Sequence, residues 1–363
     1  MKSNEALLVV SEKRSFQELM SLSVTYQESE FYWLGKLTKV IFGNLGFGTQ
    51  DELEKTLEVK VRAIIFFDER SLIMSGFFKR FIPNPLVPII FVTHDFWAHP
   101  LMVCRYLRQI RTKLIIVRHL SAKRLYSRFM PDTEIIVKRP GFEDNIFYPR
   151  DAQKEYDIIL SGTHSEDYPL RNRLYQLVIN RKESMGWKVL DVTNQSNYSN
   201  PISNQMQYAP LLSAAKVCVT GSVRTNIKAR ILSQYFDGST ARRSMDSVDQ
   251  FYGTTIKDID DIEITMAGIP PRYMEAFACN TALAADLPSE DFQDFYADKM
   301  IRLESSMSDD AIIELLKFWI DRDAERTELT QYAYRAVAPR ESSKSKATEL
   351  LELLEERINS WNA

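Results

Sequence analysis

The chain has 363 residues, of which 45% are hydrophobic and 26% are charged, a composition typical of a globular enzyme rather than of a disordered or fibrous chain. At roughly 150 residues per domain, this length predicts two domains. The 46 basic and 49 acidic residues leave a formal net charge of −3, so no general attraction to nucleic acid or to an anionic membrane is expected.

The rarer residue types predict a cytoplasmic protein without a metal or another cofactor. The three cysteines, Cys104, Cys218 and Cys279, lie far apart in apolar segments, which indicates buried, reduced thiols. The four histidines have no spacing typical of metal ligands. The amino terminus lacks the pattern of a secretion signal, and no apolar stretch approaches the roughly 20 residues that a membrane span requires.

The first half of the chain alternates short apolar runs with longer polar or amphipathic segments. Such runs predict parallel strands covered on both faces, and the segments between them predict helical crossovers. The predicted strands are ALLVV from Ala6, AIIFF from Ala63, PIIFVTH from Pro88, KLIIVR from Lys113 and EIIVKR from Glu134. Residues 1–150 are therefore predicted to form an α/β lobe.

A second set of elements follows the polar, proline-flanked stretch YPRDAQKEYD, which predicts a hinge at residues 149–155. The predicted strands are YDIILSGT, WKVLDVT, KVCVTGS and ALAAD, with one helix over 168–182 and another around Pro210. Residues 224–262 indicate an irregular insertion or mobile loop, and the segments after Asp309 have helical apolar spacing. Residues 151–363 are predicted as a second α/β lobe that ends in helices.

Two such lobes place a ligand in the crevice between them, where strands end and helices begin. The first segment suited to this place is SGTHSEDYPLRNRL. Its small residues Ser161, Gly162 and Thr163 form a turn whose amides can approach phosphate oxygens, and Arg171 on the next helix can add charge-assisted bonds. The alternative is a tight turn followed by a solvated arginine.

The second segment is AGIPPRYMEAFACNTALAAD, in which a glycine turn at Gly268 and two prolines precede a helix that begins near Arg272. The amino terminus of a helix attracts anions through its N–H groups and its dipole. Glu275, one turn further on, can accept hydrogen bonds from a ribose diol. Alternatively, Arg272 and Glu275 form a surface ion pair three residues apart, of little energetic weight.

The third segment is FVTHDFWAHP, in which His94 and Asp95 follow a predicted strand at its carboxyl end. A histidine there can accept a proton, because its ordinary pKa lies near neutrality, and Asp95 can orient it or act itself. The pair is our candidate for catalysis, with a capping or turn role as the alternative. His119, at the end of KLIIVRHL, is a weaker candidate.

Several of these pieces resemble one family of enzymes. MEAFACNTALAAD resembles the EAMACGTPVVAS segment of family 4 GT-B glycosyltransferases, and RYMEAFACNTALAAD resembles the RxFEAxACG segment of the group 1 glycosyltransferase domain in spore-maturation-type proteins. YDIILSGTHSEDYPLRNRL is similar to the start of that family's carboxyl lobe, and PGFEDNIFYP is similar to its interlobe signature xGvDxxxFxP. The resemblance runs, with gaps, from about Ile89 to the carboxyl terminus.

The resemblance implies a GT-B fold of two Rossmann-like lobes. It implies transfer of a sugar from a UDP- or GDP-sugar to an acceptor hydroxyl without a metal. A family 4 stereochemistry implies retention of configuration, whereas inversion would require a dedicated base such as Asp95 or His94. In this chain Glu275 would bind the donor ribose, amides from Gly268 to Arg272 would contact phosphate or sugar, and Arg171 with the turn at Gly162 and Thr163 would contact the diphosphate.

Two departures from the family pattern leave the donor sugar open. Ala267 stands where the family has a further glutamate, and Asn280 stands where it has a glycine. A glycosyltransferase that acts on modified bases of nucleic acid is a competing interpretation, which the near-zero net charge disfavours and the basic stretch from Arg224 to Arg243 favours. A non-catalytic relative that binds a nucleotide sugar or a partner protein is the third.

Overall fold

The computed structural model describes the chain at residues 5–10, 26–43, 54–55, 58–67, 86–93, 100–139, 141–162, 164, 166–193, 205–226, 264–287 and 293–362. Within these ranges the chain forms two parallel sheets, each flanked by helices, and a small antiparallel pair of strands. The predicted α/β class is therefore confirmed.

The first sheet is built, within the described ranges, from six strands that pair in parallel. The strands are β1 (Glu5–Val10), β2 (Val40–Gly43), β3 (Lys60–Phe67), β4 (Ile89–Val92), β5 (Leu114–Val117) and β6 (Glu134–Val137). The helices α1 (Tyr26–Leu37), α2 (Pro100–Gln109) and α3 (Leu120–Phe129) lie between them in sequence. The strand order is β2-β1-β3-β4-β5-β6. All five predicted strands are present, whereas β2 was not predicted.

The second sheet has the strand order β13-β12-β9-β7-β8, again with parallel pairing. Its strands are β7 (Tyr156–Gly162), β8 (Val189–Thr193), β9 (Ala215–Val219), β12 (Ala282–Ala285) and β13 (Ile301–Arg302). The antiparallel pair consists of β10 (Val223–Asn226) and β11 (Thr265–Gly268). The helices are α4 (Pro169–Met185), α5 (Gln205–Ser213), α6 (Pro271–Ala278), α7 (Gln293–Ala297), α8 (Asp309–Asp321), α9 (Asp323–Glu341) and α10 (Ser343–Asn362).

The first sheet is covered on both faces, which is why its strands are nearly continuous apolar runs. On one face α2 and α3 pack through Leu107 and Tyr126. On the other face α1 packs through Leu34, and the last helix, α10, packs through Leu350 and Leu354. The end of the chain thus returns to the first sheet and completes its core. The predicted lobe boundary near residue 150 stays a prediction.

The two stretches of chain that pass between the sheets lie side by side. The amide of Phe142 donates to the carbonyl of Glu341 at 3.0 Å, and the amide of Ser343 donates to the carbonyl of Phe142 at 2.8 Å. A Cβ at Gly141 would lie 2.5 Å from the nitrogen of Ser343, so only glycine fits there. The outgoing and returning segments therefore form one joined connection.

A buried ion cluster ties α1 to the carboxyl ends of β5 and β6. Glu30 is fully buried and lies 3.0 Å from the Nζ of Lys138 and 3.1 Å from Nη1 of Arg118. The Nζ of Lys138 also donates to the carbonyl of Lys346 in α10 at 2.7 Å. Burial by itself raises the pKa of Glu30. The cations of Lys138 and Arg118 together lower this pKa by more than burial raises it, so the pKa of Glu30 lies below the ordinary value.

Two predicted helices of the second half of the chain are present. The helix predicted over 168–182 is α4, and the helix predicted around Pro210 is α5. The predicted irregular segment begins inside β10, and most of it lies outside the described residues. No helix in the described parts of the chain is long and apolar enough to cross a membrane.

The ion cluster predicts a large and pH-dependent loss of stability on Glu30→Gln. Removing the carboxylate leaves Arg118 without its counter-charge and leaves Lys138 with only the exposed carboxylate of Glu349, 3.7 Å away, which costs about 3–5 kcal/mol. Because the pKa of Glu30 is lowered in the folded state, its contribution is present above the ordinary value of 4.5 and is lost as the pH falls through the lowered pKa.

Urea unfolding of wild type and variant at pH 7 and at pH 4 measures this difference. Glu134→Gln is the matched control, because Glu134 pairs with Arg357 at the surface and its loss is expected to change little. Equal effects of the two variants at pH 7 would contradict the role of the buried cluster.

Candidate functional site

The order of the second sheet reverses between β7 and β9, since β8 lies on the outer side of β7 and β12 on the outer side of β9. In open α/β sheets a ligand binds at such a switch point, outside the carboxyl ends of the strands. Gly162 ends β7 with a φ of +114°, and the turn Thr220 to Ser222 follows β9. These two turns mark the place where a ligand is expected.

Arg171 lies at this switch point, in the first turn of α4. It is only 2% exposed, and its Nη2 donates to the carbonyl of Gly221 at 2.8 Å. Its guanidinium carbon lies 3.6 Å from the centre of the Tyr168 ring. A Cβ at Gly162 would lie 2.9 Å from Nη1 of Arg171, so the glycine makes room for the guanidinium. The solvated arginine of the alternative interpretation is therefore not what the structure has.

Glu275 and Arg272 form a salt bridge at the start of α6, with Glu275 Oε2 2.7 Å from Arg272 Nη1. The ion pair expected in the alternative interpretation is present, but Glu275 is only 1% exposed and the Arg272 side chain 30%. The guanidinium carbon of Arg272 lies 4.3 Å from the centre of the Tyr208 ring. Burial opposes the charge of Arg272, yet the Glu275 carboxylate raises its pKa above the ordinary range.

Tyr208 joins this pair to the end of β7. Its hydroxyl donates to Oγ of Ser161 at 2.9 Å, and the hydroxyl of Tyr175 donates to the carbonyl of the same serine. Burial raises the pKa of Tyr208 well above its ordinary value, so the hydroxyl keeps its proton and remains a donor. One buried tyrosine therefore connects Arg272 to the carboxyl end of β7.

Asp286 is a further site residue that the sequence analysis did not single out. It directly follows β12 and is 3% exposed. Its carboxylate accepts from the amide of Ser222 at 2.7 Å, from Oγ of Ser222 at 2.6 Å, from the hydroxyl of Tyr273 at 3.2 Å and from Nη2 of Arg224 at 3.2 Å. Asp286 therefore fixes the turn after β9 and the start of β10 against α6. A carboxylate directly after a buried parallel strand was the signal available in the sequence.

His119 and Gly268 form a contact between the first lobe and the antiparallel pair β10-β11. His119 directly precedes α3, close to the carboxyl end of β5, and Gly268 ends β11. A Cβ at Gly268 would lie 2.8 Å from Nδ1 and from Cε1 of His119, so the ring packs against the glycine backbone. Val223 of β10 is also buried in the core formed by α2, α3 and the first sheet. The antiparallel pair β10-β11 thus contacts the first lobe directly.

The structure places the predicted site residues as follows. Gly162 contacts Arg171, Arg272 contacts Glu275, and Gly268 lies three residues before α6 and contacts His119. His94, Asp95 and Thr163 lie outside the described residues. Within the described ranges, no three or more His, Cys, Asp or Glu side chains are grouped as metal ligands would be. The expectation of metal-free chemistry stays a prediction.

The contact between His119 and Gly268 predicts non-additive stabilities. Gly268→Ala forces the new methyl group against the imidazole and destabilises the fold by about 1–3 kcal/mol. In a His119→Ala background the methyl group has room, so the same change costs less. Urea unfolding of both single variants and of the double variant measures the coupling, which we expect to exceed about 0.5 kcal/mol. Simple additivity would show that the ring and the glycine do not touch.

No protein-family model matches the sequence, and no curated protein matches it. Solved structures do match. The structure of T4 phage BGT in complex with its UDP-glucose substrate has a TM-score of 0.52 and 13% identity, over 98% of this chain and 99% of that one. A structure of the DNA modifying enzyme β-glucosyltransferase, studied with and without uridine diphosphoglucose, has a TM-score of 0.50 and 12% identity, over 98% and 99% of the two chains.

Sucrose-phosphate synthase from Thermosynechococcus elongatus also has a TM-score of 0.50 and 12% identity, over 98% of this chain and all of that one. A chain of the GtfA/B complex is longer, and this chain spans 59% of it. At these identities the similarity concerns the fold. The two parallel sheets, with the last helix returned to the first sheet, match the GT-B fold of glycosyltransferases.

Proposed function

We propose that this chain transfers a glycosyl group from a nucleoside diphosphate sugar to an acceptor hydroxyl. The observation that carries the proposal is the buried guanidinium of Arg171 at the switch point of the second sheet. A buried cation beside backbone turns suits an anion such as a diphosphate, because charge-assisted hydrogen bonds are strongest where water is excluded. The UDP-glucose bound by T4 phage BGT, which has the same fold, supports this choice of ligand.

The donor would lie across the carboxyl ends of β7, β9 and β12. Arg171 and the amides after Gly162 would hold the diphosphate. Glu275 would accept hydrogen bonds from the ribose, with Arg272 fixing the orientation of the carboxylate. Both roles follow the family resemblance of these segments, and the burial of both side chains supports them.

During transfer, the bond from the anomeric carbon to the diphosphate oxygen breaks and a bond to the acceptor oxygen forms, while the acceptor hydroxyl gives its proton to the departing diphosphate. The negative charge on the departing diphosphate is stabilised by Arg171 and by backbone N–H groups. We propose retention of configuration on the strength of the family 4 resemblance. His94 and Asp95 remain our candidates for catalysis, and His119 lies close to the carboxyl end of β5.

Two other predictions belong to this proposal. The lobe over 1–150 would hold the acceptor and the lobe over 151–363 the donor. The three cysteines are buried free thiols, which supports a reducing, cytoplasmic compartment. A non-catalytic relative stays open as an alternative, because Ala267, paired with Arg224 across β10 and β11, stands where the resembled family has a glutamate.

The proposal predicts that a nucleoside diphosphate stabilises the folded protein. A ligand at 100 times its Kd raises the free energy of unfolding by about 2.7 kcal/mol. Thermal unfolding with UDP, GDP and their sugars, followed by an assay for consumption of the donor that binds, measures both steps. Binding without transfer or hydrolysis would favour the non-catalytic relative, and no binding at all would refute the proposal.

The proposed ribose contact predicts that Glu275→Gln weakens the binding of the nucleotide. A hydrogen bond to a charged acceptor contributes about 1.5–3 kcal/mol, so the affinity for the nucleoside diphosphate falls tenfold or more. Glu143→Gln is the control, because Glu143 is equally a buried carboxylate but accepts from Asn145 in the connection between the lobes. Titration calorimetry on both variants should show the loss only for Glu275. An unchanged affinity would exclude the ribose role.

Gly162→Ala and Gly186→Ala separate backbone strain from crowding of Arg171. Both glycines have positive φ, at +114° and +67°, so alanine strains the backbone at either position. Only at Gly162 does the new methyl group meet the guanidinium of Arg171, since a Cβ at Gly186 has nothing within 4 Å. Both variants should lose stability, but only Gly162→Ala should lose nucleotide affinity. Equal nucleotide affinities of the two variants would show that Arg171 does not contact the nucleotide.

A further inference from the structure

The first lobe contains a long segment without acidic residues. Between Asp95 and Asp132 the sequence has no aspartate or glutamate. Residues 100–130, which run from α2 to the end of α3, contain eight lysines and arginines, although acidic residues outnumber basic ones 49 to 46 in the whole chain. The charges of this protein are therefore strongly segregated.

Four of these cations lie on α2 and the turn that follows it, and all are exposed: Arg105, Arg108, Arg111 and Lys113. The apolar residues of the same helix, such as Val103 and Leu107, point into the core. The apolar side of the helix thus packs against the sheet, and its basic side is exposed to solvent.

Three more exposed cations lie on α3, at Lys123, Arg124 and Arg128, while Arg118 is buried in the ion cluster with Glu30. The helices α2 and α3 connect the neighbouring strands β4, β5 and β6 and pack into the same core, so they lie on the same side of the sheet. Their exposed sides form one surface, which we call the basic face.

Several cations of the basic face lack an ionic partner among the described residues. Arg105, Arg111, Lys113 and Lys123 make no ion pair with any described residue. On the second lobe, by contrast, Lys317 pairs with Asp321 at 2.8 Å. Helices of ten residues are about 15 Å long and pack about 8–10 Å apart, so the basic face measures roughly 15 by 20 Å.

We propose that the basic face binds the phosphate backbone of nucleic acid. A duplex carries about one negative charge per 1.7 Å of its axis, so about nine phosphates fall within the length of α2. The face also reaches the crevice, because α3 begins next to His119 and Lys123 lies one turn further on. The proposed function adds a further step, which rests on it: the bound polymer would present the acceptor hydroxyl to the crevice.

The surface fits nucleic acid better than an anionic membrane. A helix that lies on a membrane carries large apolar side chains on the side that enters the lipid. The large hydrophobic side chains that are exposed in the described part of the chain are Leu37, Leu86, Tyr148, Met206, Phe318 and Tyr332, and these lie outside α2 and α3. Among its described side chains, the basic face therefore offers charge without the apolar anchors that lipid binding requires.

The test is binding of the full-length protein to a fluorescently labelled duplex DNA and to a single strand of the same length, measured by anisotropy over a salt series. We expect binding that weakens steeply with salt. The double variant Arg105→Gln/Lys123→Gln removes two phosphate contacts and should lower the slope of log K against log salt by about 2. Lys317→Gln/Arg335→Gln removes the same charge from exposed positions of the second lobe and should leave the slope unchanged.

Equal effects of the two double variants, or no binding of either nucleic acid, would overturn the proposal. So would binding to vesicles that contain phosphatidylserine if it depends on Arg105 and Lys123 while nucleic acid does not bind. Thermal unfolding with UDP and GDP on the same preparations keeps the two proposals apart. Binding of UDP or GDP without binding of nucleic acid refutes only the role proposed for the basic face. Binding of nucleic acid without binding of UDP or GDP refutes only the proposed function.

Discussion

The arrangement of the second lobe depends on one buried cation. Arg171 is almost completely removed from water, and a charge in that position is tolerated only with partners around it. The carbonyl of Gly221 and the ring of Tyr168 supply two of them. The cation in turn dictates its neighbours, because a Cβ at Gly162 would meet the guanidinium and a Cβ at Gly221 would lie 3.0 Å from the amide of Arg171. Two glycine turns and one helix start are therefore a single structural unit.

The buried carboxylates around that unit fix the other walls of the crevice. Asp286 holds the turn after β9 through both atoms of Ser222 that can donate, and Arg272 occupies one oxygen of Glu275. The bonds from Ser222 to Asp286 join segments 64 residues apart, whereas Arg272 and Glu275 lie in one helix, so both long-range and local charge-assisted hydrogen bonds position these walls. The ring of His119 against Gly268 then sets how closely the first lobe approaches.

Most strands of both sheets could be predicted because parallel strands covered on both faces are continuous apolar runs, whereas β2 and β13, at the outer positions of their sheets, were missed. The pair β10-β11 could not, since VRTN and TMAG have no apolar pattern and their pairing spans a long segment of chain. The return of α10 to the first sheet was also missed, because helical spacing shows that a helix has an apolar side but not what that side contacts. Sequence motifs identified Arg171 and Glu275 as candidate site residues. Their burial and the contacts of Asp286 depend on tertiary packing, which the sequence does not show.

The net charge was the least informative quantity in the sequence. A sum of −3 disfavoured a nucleic acid partner, yet it averages the basic face with acidic residues elsewhere on the molecule. At 0.1 M salt, charges further apart than about 10 Å are largely screened from one another. A phosphate on α2 or α3 therefore responds to the cations of those two helices and hardly to the remainder of the protein. The local spacing of charges along the chain, and not their total, therefore determines whether the basic face has the charge that the proposed binding of nucleic acid requires.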